Sequence, residues 1–124
     1  MVLWDAYEVG GEYHFREGSD IDENGAVVAH RFFRKIVKGV STKSLKISDY
    51  PASNLLNKDG VTYSIGDKGF IQISEDDSEG APFFIIDGIK FTGEEFCRLF
   101  GACIGFDIHF QIHDASDPFP GENE

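Results

Sequence analysis

The sequence has few cysteines and no long apolar run, so it lacks the features of disulfide-bonded and membrane-spanning proteins. It contains two cysteines, Cys97 and Cys103, and no CxxC pair in 124 residues, which is typical of a reducing compartment. Its longest apolar runs, such as "FFII", are far too short to cross a bilayer. The segment "MVLWDAYEVGGEYHF" carries acidic residues and no cationic start, so it does not have the pattern of a signal peptide. We therefore expect a cytoplasmic protein.

Positive charge is also scarce. Eleven basic residues stand against 22 acidic ones, which gives a formal net charge of −11. Such an excess repels phosphate backbones and anionic lipid, so neither direct nucleic-acid binding nor membrane binding is expected. It remains compatible with a basic protein partner or with mimicry of nucleic acid. The hydrophobic content of 41% and aromatic content of 14% are typical of a globular chain.

Familiar enzyme signatures are missing as well. The sequence has no Walker loop, GxGxxG, GxSxG or HExxH motif. No catalytic residue and no cofactor is therefore predicted. Carboxylates from distant segments can still meet in space, so an enzyme with carboxylate chemistry stays an alternative.

Two helices are indicated, near residues 25–39 and 93–103. In the first, apolar residues recur at helical spacing, and this predicts a buried face made of Ala29, Phe32, Phe33, Ile36, Val37 and Val40. The second opens on Thr92 and Glu95, which form the pattern of a capping box. Its predicted buried face is Phe96, Leu99, Phe100 and Cys103.

Strands are predicted on both sides of the first helix. "LWDAYEV" and "EYHFRE" flank Gly10-Gly11 as a hairpin, and "GDKG" joins "VTYSI" to "FIQIS". The apolar run 83–86 is expected at the centre of a sheet, before a turn at Asp87-Gly88. "FDIHFQIHD" alternates, which predicts a half-buried strand with Phe106, Ile108, Phe110 and Ile112 facing inward. The middle of the chain is expected to be irregular, with one short strand or helical turn.

These elements predict an α+β fold. We expect a two-layer sandwich with a largely antiparallel sheet and two main helices, formed as a single domain over residues 1–117. Residues 118–124 are expected to be a frayed tail.

The stretch "GSDIDENGAVVAHR" begins like a calcium loop. The twelfth position counted from Asp20 must be a bidentate Glu in such a loop, but here it is the cation Arg31. We interpret the stretch as a turn and a helix N-cap chosen from Asp20, Asp22 or Asn24. His109 and His113 lie four residues apart, about 13 Å on a strand, which is too far to share one zinc ion. No metal site is predicted.

Two charged surfaces are candidate partner-binding sites. A basic stripe on the first helix, expected opposite its buried face, consists of Arg31, Arg34, Lys35 and Lys38. An acidic turn between two strands consists of Glu75, Asp76, Asp77 and Glu79. The alternative for each is an ordinary solvated surface, which is the commoner role of charged helix faces and turns.

The block "FIIDGIKFTGEEFCRLFGACIGFDIHFQIHDASD" resembles an uncharacterised bacterial family, a domain of unknown function. The matching stretches are Ile86-Asp87-Gly88, Glu94-Glu95-Phe96, Gly105-Phe106 and 114–117. Gly93 and Cys97 depart from the family pattern, which has Trp and Gly there. The resemblance supports the fold and implies no known activity.

Three functions therefore compete. The first is a small acidic, non-enzymatic protein-binding domain with an unidentified protein partner, compatible with a homodimer. The second is an inhibitor, or an immunity or anti-defence protein, that acts on a basic enzyme, with or without mimicry of nucleic acid. The third is an enzyme that uses carboxylates.

Overall fold

The computed structural model describes residues 2–75, 80–114 and 116, and the chain forms two compact units. The amino-terminal unit comprises residues 1–42 with 110–124, and the central unit comprises residues 43–109. Both combine antiparallel strands with one helix, so the predicted α+β class is confirmed. Within the described residues, the strands are divided among three small sheets. That the chain behaves as one domain stays a prediction.

The amino-terminal unit begins with a β-hairpin. Strand β1 (Val2–Tyr7) pairs with β2 (His14–Ser19), in a register that runs from Val2 opposite Ser19 to Tyr7 opposite His14. The expected hairpin is confirmed, but its connection is longer than the predicted Gly10-Gly11 turn. Gly10 has a φ of 75°, a conformation that favours glycine.

Helix α1 (Gly25–Ser41) follows the hairpin. Asn24 is its N-cap, since its Oδ1 accepts a hydrogen bond from the Ala26 backbone N–H at 2.9 Å. The interpretation of this stretch as a helix cap is thus confirmed.

The predicted buried face of α1 is confirmed for Phe32 and wrong for Ala29, Phe33, Val37 and Val40, which are exposed. The residues that are buried are Val28, Phe32, Lys35 and Gly39, whereas Phe33, Val37 and Val40 are exposed. The physical reason lies in β2, which alternates and turns Phe15 and Glu17 inward. A buried carboxylate needs cationic partners, so the helix turns its basic flank toward β2.

The central unit contains two three-stranded antiparallel sheets. In the first, β3 (Leu45–Ser48) and β4 (Leu56–Lys58) flank β5 (Val61–Ile65). In the second, β6 (Ile71–Glu75) and β8 (Ile89–Phe91) flank β7 (Pro82–Ile86). The central place predicted for residues 83–86 is confirmed. The "GDKG" connection does not form a hairpin, however, because β5 and β6 belong to different sheets.

Two Asp-Gly pairs make the tight turns of these sheets. Asp59 and Gly60 have φ values of 52° and 78°, and Asp87 and Gly88 have values of 52° and 76°. Positive φ at both central residues is the signature of the type I′ hairpin turn. The first of these hairpins was missed in the middle of the chain, where only one short element was expected.

Helix α2 (Gly93–Arg98) has the predicted capping box. The Glu95 N–H donates to Thr92 Oγ1 at 3.2 Å, and the Thr92 N–H donates to Glu95 Oε1 at 2.9 Å. The helix ends earlier than expected and is followed by a 3-10 turn, Gly101–Cys103. The core of the central unit draws on both sheets and on the end of α2, and consists of Leu56, Tyr63, Ile86, Phe91 and Leu99.

The predicted strand over residues 106–112 is absent from the part of the chain that the structure describes. Its four apolar side chains, expected inward, are 66% to 80% exposed. A strand is stabilised by cross-strand pairs, and none of the strands described pairs with this segment. The sequence of this segment therefore alternates as a strand would, but no described strand pairs with it. Among the same described residues, no helix has the length and apolar character needed to cross a membrane.

Candidate functional site

The inner surface of the amino-terminal unit carries a buried charge cluster made of Glu17, Arg31 and Lys35. Glu17 is 2% exposed. The Arg31 Nε–H donates to Glu17 Oε1 at 2.9 Å, and Lys35 Nζ lies 3.6 Å from Glu17 Oε2. Lys35 Nζ also donates to the backbone carbonyl of Arg16, and Arg31 Nη2 donates to that of Gly18 at 3.2 Å. The cluster thereby fastens α1 to β2.

Glu23, in the acidic loop before α1, completes the partners of Arg31. Arg31 Nη1 donates to Glu23 Oε2 at 3.1 Å, while Glu23 Oε1 accepts from the Asp20 N–H at 2.9 Å. These two hydrogen bonds lower the pKa of Glu23, the one from Asp20 contributing most. Burial opposes the charge of Arg31, but its bonds to Glu23 and Glu17 outweigh burial and raise the pKa of Arg31. The cation that disqualified the calcium-loop pattern thus has a structural use.

The basic stripe is divided by this arrangement. Arg31 and Lys35 turn toward Glu17, so the expectation that all four cations lie opposite the buried face is wrong for these two. Arg34 is exposed and Lys38 is half-buried. Glu17 was missed by sequence reasoning, although it alternates with the buried Phe15 in the "YHFREGS" stretch. The two-residue spacing places Glu17 on the same face of the strand as Phe15, and this spacing was the signal in the sequence.

The acidic turn is described only in part. Glu75 is exposed at the end of β6, where it pairs with Pro82 of β7. Asp76, Asp77 and Glu79 lie outside the described residues. A partner-binding role for the acidic turn stays a prediction.

An exposed apolar stripe on α1 replaces the expected buried face. Phe33 is 63% exposed, Val37 48% and Val40 42%. Ala26 and Ala29 are also exposed and continue the stripe toward the helix start. Below it, a cavity of about 150 Å³ is lined mainly by apolar and aromatic groups of the hairpin and α1, namely Ala6, Tyr7, Tyr13, Phe15, Ile36 and Val40, together with Glu8. Apolar surface of this kind is typical of a binding face.

The outer face of the hairpin bears a compact polar group. Asp5 Oδ1 lies 2.8 Å from His14 Nε2 and accepts from Arg16 Nε–H at 3.0 Å. The ring of His14 stacks on Tyr7 at a centroid distance of 4.2 Å. The hydrogen bonds from His14 and Arg16, in that order, lower the pKa of Asp5. These residues therefore hydrogen-bond and stack with one another across β1 and β2.

In the central unit, Asp87 is a structural clamp. Its carboxylate accepts from the backbone N–H groups of Ser44 at 2.8 Å and Leu45 at 3.0 Å. Ser44 is 1% exposed, and its Oγ accepts from the Phe70 N–H at 2.8 Å. A Cβ added at Gly69 would lie 2.4 Å from that Oγ. The Asp of the "IDG" stretch therefore ties the start of β3 to the β7–β8 turn.

The segment that follows the 3-10 turn forms a C-terminal apolar row, defined as Phe106, Ile108, Phe110 and Ile112. Their exposed fractions are 74%, 66%, 80% and 75%. Asp107, His109, Gln111 and His113 alternate with them and are exposed as well. In an extended chain, this alternation places the apolar side chains on one face and the polar ones on the other.

Cys97 is exposed and Cys103 half-buried, and both are free thiols. Within residues 2–75, 80–114 and 116, no three His, Cys, Asp or Glu side chains are placed to hold a metal ion together.

Fold and surfaces together define a small α+β protein whose inward-facing charges fasten its elements and whose apolar groups are partly exposed. The chain belongs to a family described as a domain of unknown function (DUF7713). The family model matches residues 52–117, which is more than half of the chain. The match runs from the loop before β4 through the C-terminal apolar row. No curated protein and no solved structure matches the chain.

Proposed function

We propose that this protein is a small, acidic, non-enzymatic protein-binding domain of the cytoplasm. The observation that carries the proposal is the C-terminal apolar row, in which four large apolar side chains are each at least 66% exposed. Leaving such side chains in water forgoes about 1.5–3 kcal/mol for each one that could be buried. A protein partner would recover part of this free energy.

The form of the row suggests how it would bind. An extended segment with one apolar face adds to the edge of a sheet, where its backbone hydrogen-bonds the edge strand and alternate side chains enter pockets. The row has the period of two that this mode requires. We therefore infer a partner with an exposed sheet edge beside an apolar surface.

The non-enzymatic part of the proposal is supported by the use of the charged groups. Glu17, Arg31 and Lys35 hold α1 on β2, and Asp87 holds the start of β3. Both of these carboxylates are engaged in fixing the fold. The cavity beside α1 is lined by none of these four residues.

The test uses the immobilised full-length chain to retain proteins from native extract, followed by affinity measurements with the purified partner. The informative variant is Ile108→Lys, in the apolar row. Its matched control is Gln111→Lys, which puts the same cation on the opposite face of the same segment. We expect Ile108→Lys to weaken binding at least about tenfold, as for a buried interface anchor, and Gln111→Lys to leave affinity nearly unchanged. Equal affinities for the two variants would contradict this binding mode.

An inhibitor of a basic enzyme is the second candidate, and the net charge of −11 favours it. Opposite charges steer association, and salt screens them beyond about 8 Å at physiological ionic strength. The association rate with the retained partner should then fall steeply as salt rises. A rate that is insensitive to salt would leave the apolar row as the main determinant and exclude an electrostatic inhibitor.

A further inference from the structure

Strand β2 has an edge that no other strand covers among the residues described, since β2 pairs only with β1. The backbone groups of Arg16 and Gly18 point to this free edge. The carbonyl of Gly18 accepts from Arg31 Nη2 at 3.2 Å, and that of Arg16 accepts from Lys35 Nζ. Because the backbone groups of alternate residues point to the same side of a strand, His14 faces this edge as well.

The chain that follows the C-terminal apolar row lies at this edge. From residue 110 onward it belongs to the same unit as β2, and the Gly18 N–H donates to the carbonyl of Ser116 at 3.3 Å. Hydrogen bonds from Ser116 lower the pKa of Asp114 most, and the positive charge of Arg16 lowers it further. Asp114 thus lies near Arg16 while Ser116 lies at Gly18, so this segment runs in the same direction as β2. In an antiparallel arrangement, Asp114 would instead lie beyond Gly18, away from Arg16.

The hydrogen bond between Gly18 and Ser116 fixes a register. In a parallel pair, an N–H bonds to the carbonyl of the residue that precedes its partner. Followed back along both segments, this register places Ile112 beside Tyr13. Partners in neighbouring strands point to the same face of the sheet. Ile112 therefore falls on the inner face of the hairpin, where Tyr13 is 4% exposed.

The inner face has room for this side chain. A cavity of about 150 Å³ lies there, and Tyr13, Phe15, Ile36 and Val40 are among its lining residues. An apolar cavity of similar volume in an engineered protein stays dry and binds benzene, which is similar in size to an isoleucine side chain. Ile112 is 75% exposed and is the apolar side chain that the register brings to the cavity.

We propose that residues 110–114 close onto the free edge of β2 as a third, parallel strand, with the side chain of Ile112 in this cavity. The Arg16 N–H then donates to the carbonyl of Asp114, and the Asp114 N–H donates to the carbonyl of His14. Neither of these bonds uses the two carbonyls that accept from α1.

The closed strand would regulate the proposed function, and this consequence rests on that function. Phe110 and Ile112 belong to the C-terminal apolar row, whose apolar face is the proposed contact with the sheet edge of a partner. The free edge of β2 beside the cavity is an edge of the same kind within the chain. Closure therefore weakens partner binding, because only the open fraction of the chain can bind.

Two experiments test closure without any partner, so their failure is distinct from failure of the proposed function. The first measures amide hydrogen exchange by NMR in the full-length chain. The amide of Asp114 should exchange at least about tenfold more slowly in Gln111→Lys, which places a cation on the outer face, than in Ile112→Lys, which places one at the cavity. The wild-type chain should match Gln111→Lys. Equal exchange in the two variants, or unprotected exchange of Asp114 in the wild-type chain, overturns the proposal.

The second experiment traps the register by disulfide formation in a Cys97→Ser, Cys103→Ala background. His14→Cys with His113→Cys places two thiols on directly opposite residues of the closed strands, about 5 Å apart between Cα atoms and within the range for a disulfide. His14→Cys with Gln111→Cys is the matched control, since its thiols share the outer face but lie about 8 Å apart. The first pair should oxidise at least about tenfold faster, and circular dichroism checks that all variants are folded. Equal rates for the two pairs overturn the register and the closed strand with it.

Discussion

The two units of this protein hold their helices in different ways. In the central unit, five buried apolar residues from two sheets and the end of α2 form one core. In the amino-terminal unit, the surface between β2 and α1 includes the buried groups of Glu17 and Lys35, while Phe33 and Val37 of the same helix are exposed. An apolar core is non-directional and tolerant. A buried ion pair is directional, because Glu17 must lie opposite Arg31 and Lys35 of the helix.

This difference between the two units indicates which helix has an exposed apolar surface. The central unit buries the apolar side of α2 within itself, and the partly buried Phe96 and Phe100 pack against its core. Helix α1 buries Val28 and Phe32 as well as Lys35, and it leaves Phe33, Val37 and Val40 exposed.

The two units should respond differently to the loss of a phenylalanine. Phe91 is fully buried and contacts the ring of Tyr63 edge-on at 5.7 Å, whereas Phe33 is 63% exposed. Phe91→Ala should lower the free energy of unfolding by about 3–5 kcal/mol. Phe33→Ala should change it by less than about 0.5 kcal/mol in a dilute, monomeric sample. Urea unfolding measures both, and similar losses for the two variants would remove the contrast.

The buried charge cluster should be nearly as sensitive as the apolar core. Glu17→Ala removes the carboxylate beside the buried ammonium group of Lys35 and one of the two carboxylates that pair with Arg31. It should cost about 3 kcal/mol of unfolding free energy. Glu23→Ala is the matched control, since Glu23 pairs with the same Arg31 but its side chain is 32% exposed against 2% for Glu17. Its loss should cost about 1 kcal/mol or less. Equal costs in urea unfolding would show that burial of Glu17 has no special role.

Both helices should lose stability to a similar extent when their N-caps are removed. Asn24→Ala and Thr92→Ala each remove a side-chain acceptor from the first turn, and each should cost about 1 kcal/mol. Ser74→Ala, at an exposed position of β6, should stay within about 0.5 kcal/mol of the wild-type chain. A cap variant with no cost in urea unfolding would contradict the hydrogen bonds described for that helix.

The smallest effect concerns the pH dependence of the Lys58–Glu95 pair, in which Lys58 Nζ lies 3.1 Å from Glu95 Oε2. Burial acts to raise the pKa of Glu95, but hydrogen bonds from Thr92 and Lys58 outweigh it and lower that pKa. A lowered pKa in the folded chain stabilises it above the ordinary glutamate pKa of about 4.3, and this contribution is lost as the pH falls through the lower folded value.

Glu95→Gln should therefore cost a few tenths of a kcal/mol up to about 1 kcal/mol at pH 7, and the difference from wild type should shrink as the pH falls below the ordinary glutamate pKa. Glutamine keeps an acceptor for the Thr92 N–H, so the variant isolates the charge. Unfolding in urea at both pH values provides the measurement. A difference that persists unchanged at low pH would mean that the charge of Glu95 is not involved.

The sequence predicted the elements better than their orientations. The Asn24 cap, the Thr92–Glu95 capping box and the Asp87-Gly88 turn are local patterns, and each is confirmed. The buried face of α1 could not be read from its own periodicity, because Glu17 of another strand determines which side faces inward. Two apolar strands joined by "GDKG" likewise looked like a hairpin, although their pairing is decided by β3, β4 and β7.

The candidate sites show the same limit. The basic stripe was found as a pattern on one helix, but its division between Arg31 and Lys35, which turn inward, and Arg34, which is exposed, depends on β2. The alternation of Phe106 to Ile112 was recognised, yet an alternating segment becomes a strand only where a sheet edge meets it. Alternation identifies a strand-like surface, and the partner that covers it must be found by experiment.

Amine labelling tests directly whether α1 turns Lys35 inward toward Glu17 of β2. Lys35 is 8% exposed at its side chain and Lys46 is 67% exposed. Acetylation of the folded wild-type chain, followed by peptide mapping, should modify Lys46 quickly and Lys35 at least about tenfold more slowly, because Lys35 reacts only when the structure opens locally. Labelling of Lys35 at the rate of Lys46 would place this cation in solvent, as the helical periodicity alone predicts. That result would contradict the buried charge cluster of Glu17, Arg31 and Lys35.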